Sequence, residues 1–157
     1  MAFTNNPRPL SPGGIASVIR ITEANSQSFL AGQMVYYNSG IAVVATSGTL
    51  VLGQALTAAT NTTSGNVKIS VARIEPNQDW AIKCVNNGTA ALASTATVGT
   101  RYGLYTTGNV TYMDINNSSD DAVVFLEPIP DELGEVTSSY WARVRWTPAV
   151  LQQNLGA

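Results

Sequence analysis

The sequence predicts an all-β fold: a compact antiparallel β-barrel or sandwich of about ten short strands with extended N- and C-terminal arms. Short runs in which apolar and polar residues alternate have the two-residue period of half-buried strands. Turn-forming clusters separate these runs every eight to twelve residues or so, which is the spacing found in sandwiches and barrels. No segment has the 3.6-residue apolar period of a convincing amphipathic helix.

The length of 157 residues predicts a single domain. Pro7, Pro9 and Pro12, followed by the pair Gly13-Gly14, oppose helix and interior-strand geometry, so an extended arm is expected at the start. The last ten residues have one proline, no charge and no pairing pattern. We therefore expect an N-terminal arm over residues 1–14, one β domain over 15–147 and a C-terminal tail over 148–157.

Five strands are predicted in the first half of the chain. They cover residues 15–21, 33–37, 41–45, 49–56 and 67–72. The second and third flank the loop Asn38-Ser39-Gly40, whose glycine can adopt positive φ, so we expect a hairpin there. In the fifth, apolar residues alternate regularly with Lys68 and Ser70.

Five more strands are predicted in the second half. They cover residues 80–85, 102–106, 110–115, 122–126 and 139–146, while residues 90–98 fit either a loosely paired strand or a loop. The loop Thr107-Gly108-Asn109 joins two aromatic and β-branched runs, which predicts a hairpin. Pro128 and Pro130 end the strand before them because proline has no N–H to donate.

Several function classes are disfavoured by composition. The net charge of -2 gives no electrostatic footprint for nucleic acid, and no apolar run approaches the roughly 20 residues of a membrane helix. With no histidine and one cysteine, Ser-His and Cys-His enzymes are excluded. Cys84 has no partner for an internal disulfide, which favours folding in a reducing cytoplasm. We expect no enzyme activity, no metal and no cofactor.

The acidic residues do not form a convincing catalytic pair. Asp120-Asp121 and Asp131-Glu132 are adjacent in sequence and lie in predicted turns, where solvated carboxylates also cap backbone groups. Asn116 with the first pair offers oxygen ligands for calcium, but no twelve-residue EF-hand pattern is present. We interpret both pairs as turn residues and keep calcium as the less favoured alternative.

The most specific indication of function in the sequence is the outer face of the last predicted strand. Strand alternation puts Trp141, Arg143 and Arg145 together on one face. Tryptophan and arginine are enriched at interface hot spots because they combine apolar area with stacking and forked hydrogen bonds. We predict a protein interface formed by this face and by the N-terminal arm, with these candidate residues: Pro7, Arg8, Pro9, Leu10, Trp141, Arg143 and Arg145. The opposing interpretation is a packed tryptophan beside two solvated arginines.

Exposed aromatic residues suggest a second function class. Aromatic faces stack on sugar rings, so a carbohydrate platform is possible if several of the aromatic residues share one exposed face. The candidates are Tyr36, Tyr37, Trp80, Tyr102, Tyr105 and Tyr112. In alternating strands, about half of these side chains are expected in the core.

The order of motifs resembles the head decoration (cement) proteins of tailed bacteriophages. The resemblance spans about residues 30 to 128 and is carried by short motifs. These are Ala31-Gly32-Gln33-Met34-Val35-Tyr36, Ile41-Ala42-Val43-Val44, Leu50-Val51-Leu52-Gly53-Gln54-Ala55, Thr100-Arg101-Tyr102-Gly103-Leu104-Tyr105 and Gly108-Asn109-Val110-Thr111-Tyr112.

The resemblance implies a structural virion protein on the capsid exterior, made in the host cytoplasm. Such a protein clamps neighbouring subunits of the major capsid protein, commonly as a homo-oligomer, of which a trimer is favoured and a dimer is the alternative. The two arms, the low charge and the lack of catalytic residues are compatible with this function. The less favoured function is a carbohydrate-binding or adhesin module.

Overall fold

A computed structural model of the chain describes residues 5–10, 17–24, 30–38, 41–46, 50–58, 67–107 and 110–151. Within these residues the protein is nearly all β, with one short 3-10 turn at Ala93–Thr95. The strands are β1 (Arg8–Pro9), β2 (Val18–Glu23), β3 (Met34–Asn38), β4 (Ile41–Val44), β5 (Gly53–Ala55), β6 (Lys68–Arg73), β7 (Asp79–Asn86), β8 (Thr89–Ala90), β9 (Arg101–Thr107), β10 (Val110–Asp114), β11 (Val123–Pro128) and β12 (Trp141–Trp146).

The strands form two closed barrels. Barrel 1 has the order β2-β4-β3-β5-β6, and β2 pairs with β6 to close it. Barrel 2 has the order β7-β10-β9-β11-β12, closed by pairing of β12 with β7, while β1 and β8 also pair with β7. Each barrel is antiparallel except for one parallel contact, β2 with β4 and β7 with β10. The predicted all-β fold, given as a barrel or a sandwich, is confirmed, and the chain forms a barrel twice.

The two barrels share topology and register. In both, the second and third strands form a hairpin, and the first strand pairs with the third and the fifth. Backbone bonds recur at equivalent places. Gly32 N donates to Ala55 O at 2.7 Å, and Gly99 N donates to Phe125 O at 2.8 Å. Both glycines have positive φ, 97° and 81°, a conformation that side chains with a Cβ rarely adopt.

The barrel interiors are equivalent position by position. Seven buried residues form the core of barrel 1, and the register assigns each one a counterpart that is buried in barrel 2. The seven are Ile21, Val35, Ala42, Leu52, Ala55, Ile69 and Val71, and their counterparts in the same order are Ile82, Tyr102, Met113, Ala122, Phe125, Ala142 and Val144. The fold is therefore an internal structural repeat.

The barrels are joined by apolar packing. The core of barrel 2 continues into residues of the first half of the chain, Met34, Ala45, Val51 and Ile74. Thr106 Oγ1 also donates to the Ala45 carbonyl across this junction at 3.2 Å. Because apolar burial is a main source of folding free energy, each barrel depends on the other for part of its stability.

Most predicted strands correspond to observed ones, with differences at their ends. The predicted strand over 49–56 is shorter, Gly53–Ala55, preceded by an isolated bridge of Val51 to Leu151. The interval left open at 90–98 contains the end of β8 and the 3-10 turn. Outside the described residues lie the start of the first predicted strand, both hairpin loop tips and most of the two predicted arms.

The repeat permits a matched pair of core substitutions, Ile21→Ala and Ile82→Ala. Each removes a buried isoleucine from the same barrel position, so we expect each to lower the free energy of unfolding by about 2–5 kcal/mol. All three tryptophans lie in barrel 2. For Ile21→Ala, the midpoint of denaturant unfolding measured by tryptophan fluorescence should therefore fall together with the midpoint measured by circular dichroism. An unchanged fluorescence midpoint in that variant would contradict coupling between the barrels.

Candidate protein-binding surface

Strand β12 has one buried face and one accessible face. Ala142, Val144 and Trp146 point into barrel 2, and the Trp146 ring packs edge-to-face on Trp80 with centroids 6.3 Å apart. The residues between them are half-buried, as the alternation predicts. These are Trp141, Arg143 and Arg145.

The N-terminal segment lies beside this face. Arg8 and Pro9 of β1 pair with Ala81 and Trp80 of β7, the strand adjacent to β12. The Arg8 guanidinium carbon is 6.0 Å from the centroid of the Trp141 ring. The two halves of the predicted interface, which are more than 130 residues apart in sequence, therefore meet at one surface.

Cations from two elements, β7 and β1, lie near the Trp141 ring. Lys83 Nζ lies 5.6 Å from the Trp141 ring centroid, in addition to Arg8. Partial burial lowers the pKa of Arg8 through desolvation. Cation–aromatic contacts of this kind contribute about 0.5–1 kcal/mol at exposed sites.

Ion pairs hold the arginines of β12 in place. Arg145 donates to Asp79 Oδ1 from both Nε, at 3.0 Å, and NH2, at 2.6 Å. Arg143 NH1 donates to Glu127 Oε1 at 3.0 Å, and its Nε lies 3.9 Å from Asp79 Oδ2. Solvent reaches all of these groups, so the pairs contribute little to stability. They do orient two guanidinium groups at the surface.

We call this surface the β12 face. It carries four of the eight basic residues of the chain and two acids, in a protein whose net charge is -2. The β12 face is defined by Arg8, Asp79, Lys83, Glu127, Trp141, Arg143 and Arg145.

Residues 5–10 are packed against both barrels. The Thr111 amide donates to Asn6 Oδ1 at 3.3 Å, and Leu10 N donates to the Asp79 carbonyl at 2.8 Å. From barrel 1, Gln54 Nε2 donates to the carbonyls of Pro7 and of Gly32. Pro7 is buried, whereas Arg8, Pro9 and Leu10 are half-buried. This part of the predicted arm is extended, and it belongs to the folded body.

At the described counterpart positions, barrel 1 has no equivalent of the β12 face. The register makes Lys68, Ser70 and Ala72 the counterparts of Trp141, Arg143 and Arg145. Val18 and Thr22 likewise stand where barrel 2 has Asp79 and Lys83. The two barrels thus retain the same core pattern but differ on this outer face.

A cleft of about 270 Å³ adjoins Trp141. Lys83, Tyr140 and the loop that follows β11 line it. Within that loop, Asp131 accepts hydrogen bonds from Ser138 Oγ at 2.5 Å and from the Leu133 and Glu135 amides at 2.9 Å. These bonds, the one from Ser138 foremost, lower the pKa of Asp131, so the carboxylate holds the loop at neutral pH.

The aromatic residues considered for sugar binding do not form one exposed face. Trp80 and Tyr102 are buried in barrel 2, and the Tyr102 hydroxyl accepts from the Thr97 amide at 2.9 Å. The other candidates are half-buried and occur in both barrels: Tyr36, Tyr37, Tyr105 and Tyr112. The exposed aromatic group beside the cleft is Tyr140.

The turn acids make local contacts. Asp120 Oδ2 accepts from Asn117 Nδ2 at 2.7 Å, and Asp121 lies 3.7 Å from Arg101. Among the residues with described positions, no group of three or more Cys, Asp or Glu side chains is arranged to hold a metal ion. The same residues contain no helix long and apolar enough to cross a membrane.

Searches for similar proteins returned no match among family models, curated proteins or solved structures.

The sequence did not predict that Asp79, Glu127 and Lys83 belong to the β12 face. Asp79 and Lys83 lie on β7, and they face Arg145 and Trp141 through the pairing of β7 with β12. Alternation along β7 places both on its outer side, but only the strand order shows which neighbour they meet. Arg8 was predicted as an interface residue, but its position beside Trp141 depends on the pairing of β1 with β7.

Removing the Asn6 side chain tests the anchoring of the N-terminal segment. In Asn6→Ala the buried Thr111 amide loses its acceptor, so the free energy of unfolding should fall by about 1–3 kcal/mol. The matched control is Asn5→Ala, which removes only an exposed bond to Lys83 and should change stability by less than about 0.5 kcal/mol. Urea denaturation measures both. Equal effects would mean that the segment is not anchored through Asn6.

Burial should protect the single cysteine. Desolvation raises the pKa of Cys84 to about 12, and its side chain lies in the core of barrel 2. Because the thiolate is the reactive form, iodoacetamide at pH 8 should label the native chain far more slowly than the urea-unfolded chain. Mass spectrometry measures the rate, and rapid labelling of native protein would contradict this burial.

Proposed function

We propose that the protein is a non-enzymatic structural protein of a virion that decorates the outside of a phage capsid. In this proposal it contacts neighbouring major capsid subunits through the β12 face and stabilises the assembled shell. Binding to the shell and not to free subunits would shift the assembly equilibrium by linkage. The motif order that resembles decoration proteins supports the proposal.

The observation that carries the proposal is the construction of the β12 face. A tryptophan with cations 5.6 and 6.0 Å from its ring centroid stands beside two arginines held by acids. Half-buried tryptophan and oriented arginine are typical of interface hot spots. Barrel 1 folds without any of these residues at its equivalent positions, so the barrel fold itself does not require them.

The charge of the face indicates what it binds. Four cations against two acids favour a partner surface that is acidic, because complementary potentials steer association. We propose a homo-oligomer, with a trimer favoured over a dimer, because a symmetric unit presents several copies of the face to a symmetric shell.

The second candidate function is carbohydrate binding. The cleft beside Trp141 favours it, because the exposed aromatic ring of Tyr140 lines it together with Trp141. Sugar titration followed by tryptophan fluorescence tests this candidate. A saturable change that Tyr140→Ala abolishes would support it, and no change with any sugar would exclude it.

The double variant Trp141→Ala/Arg143→Ala tests the proposed function. Each of the two hot-spot residues should cost about 2 kcal/mol or more, so their joint loss should weaken binding by roughly several hundredfold. The measurement is cosedimentation with empty shells of the major capsid protein from the same genome.

The matched control is Lys68→Ala/Ser70→Ala, at the equivalent positions of barrel 1. It should bind within about twofold of the wild type. Circular dichroism must first show that both variants are folded. Equal binding by the two double variants, or no binding by the wild-type chain, would refute the proposal.

A further inference from the structure

In barrel 2, strand β1 fills a short stretch of open edge on β7. Strand β7 pairs with β12 along one edge. Along its other edge it pairs with β10 only at Cys84 and Val85. The earlier part of that second edge is covered by β1, through Arg8 with Ala81 and Pro9 with Trp80.

In the part of the chain that the structure describes, barrel 1 has the same edge without a covering strand. On β2, the parallel contact with β4 involves only Thr22 and Glu23. The counterparts of the edge that β1 covers are Val18, Ile19 and Arg20. Among the residues that the structure describes, no strand pairs with this second edge of β2.

The backbone of this stretch is oriented for pairing. Arg73 N donates to the Ser17 carbonyl at 3.0 Å, and Glu23 N donates to the Val67 carbonyl at 2.9 Å, so the odd-numbered residues of β2 bond to β6. In an antiparallel ladder the alternate residues turn their amides and carbonyls the other way. Val18 and Arg20 therefore present backbone donors and acceptors to the open edge.

The side chains at the edge are accessible. Val18 is 52% exposed, an unusual position for a large apolar residue at an unpaired strand edge, and Arg20 is also exposed. Proteins commonly cover or blunt such edges. Addition of an extended segment would pair the backbone groups and bury the valine.

Charge determines which segment fits. Arg20 stands where barrel 2 has Ala81, the residue paired with Arg8. A β1 segment from a second copy, bound in the same register, would place Arg8 opposite Arg20, and like charges directly opposite are destabilising. Lys68, which pairs with Thr22 on the same face as Arg20, adds a further positive charge.

We propose that the edge Val18–Arg20 binds an extended segment of an acidic partner protein, added antiparallel to β2. Opposite Arg20 the segment carries Asp or Glu, and two residues later an apolar side chain covers Val18. The motif is acidic-x-apolar, equivalent in register to Arg8-Pro9-Leu10 on barrel 2. This site is separate from the β12 face and goes beyond the proposed function.

The test uses two acetylated peptides, Thr-Asp-Thr-Val-Thr and Thr-Lys-Thr-Val-Thr, titrated to millimolar concentration against the ¹⁵N-labelled full chain. The aspartate peptide should shift the Val18 and Arg20 amides and bind about fivefold or more tightly than the lysine peptide. The variant Arg20→Glu should reverse that preference, while Arg101→Glu, an exposed position in barrel 2, should retain it.

Amide spectra of each variant without peptide show whether it is folded. The absence of amide shifts at Val18 and Arg20 would overturn the proposal, as would equal binding of the two peptides. Shifts of these amides that depend on protein concentration without peptide would also overturn it, because the edge would then be a contact between copies. None of these peptide results depends on the capsid cosedimentation experiment, so failure of this proposal can be distinguished from failure of the proposed function.

Discussion

Strand β7 is paired along both of its edges, and barrel 2 and its surface depend on that pairing. One edge bonds to β12 and closes the barrel; the other bonds first to β1 and then to β10. The same pairing sets Arg8, Lys83 and Asp79 around the outer residues of β12. The strand that closes the barrel thus also assembles the candidate binding surface.

The internal repeat separates what the fold requires from what a surface function requires. Both barrels keep seven equivalent buried residues and the same register. They differ where solvent reaches the fifth strand, with Lys68 and Ser70 in one and Trp141 and Arg143 in the other. They also differ at the edge of the first strand, which β1 covers only in barrel 2. An outer residue that the fold does not need is free to serve recognition.

The fold class, most strands and the shared face of Trp141, Arg143 and Arg145 were predictable, because strand alternation is a local property. The repeat was not. Within the barrel 1 strands, only Ile21 and Val71 match their counterparts, because a β core accepts different apolar residues of similar total volume. The large and the small residue exchange places between the barrels: Leu52 and Ala55 in barrel 1 correspond to Ala122 and Phe125 in barrel 2. Pairing of β1 with β7 spans some 70 residues, so no local pattern indicated it.

Amide hydrogen exchange of the free chain most directly tests the claim that two equivalent barrels differ in one covered edge. Arg20 and Ala81 occupy equivalent positions, and within the described part of the chain Ala81 alone faces a paired strand on its second edge. We predict that the Ala81 amide exchanges at least about a hundredfold more slowly than the Arg20 amide, relative to their unfolded rates. Equal protection of the two amides would contradict the account.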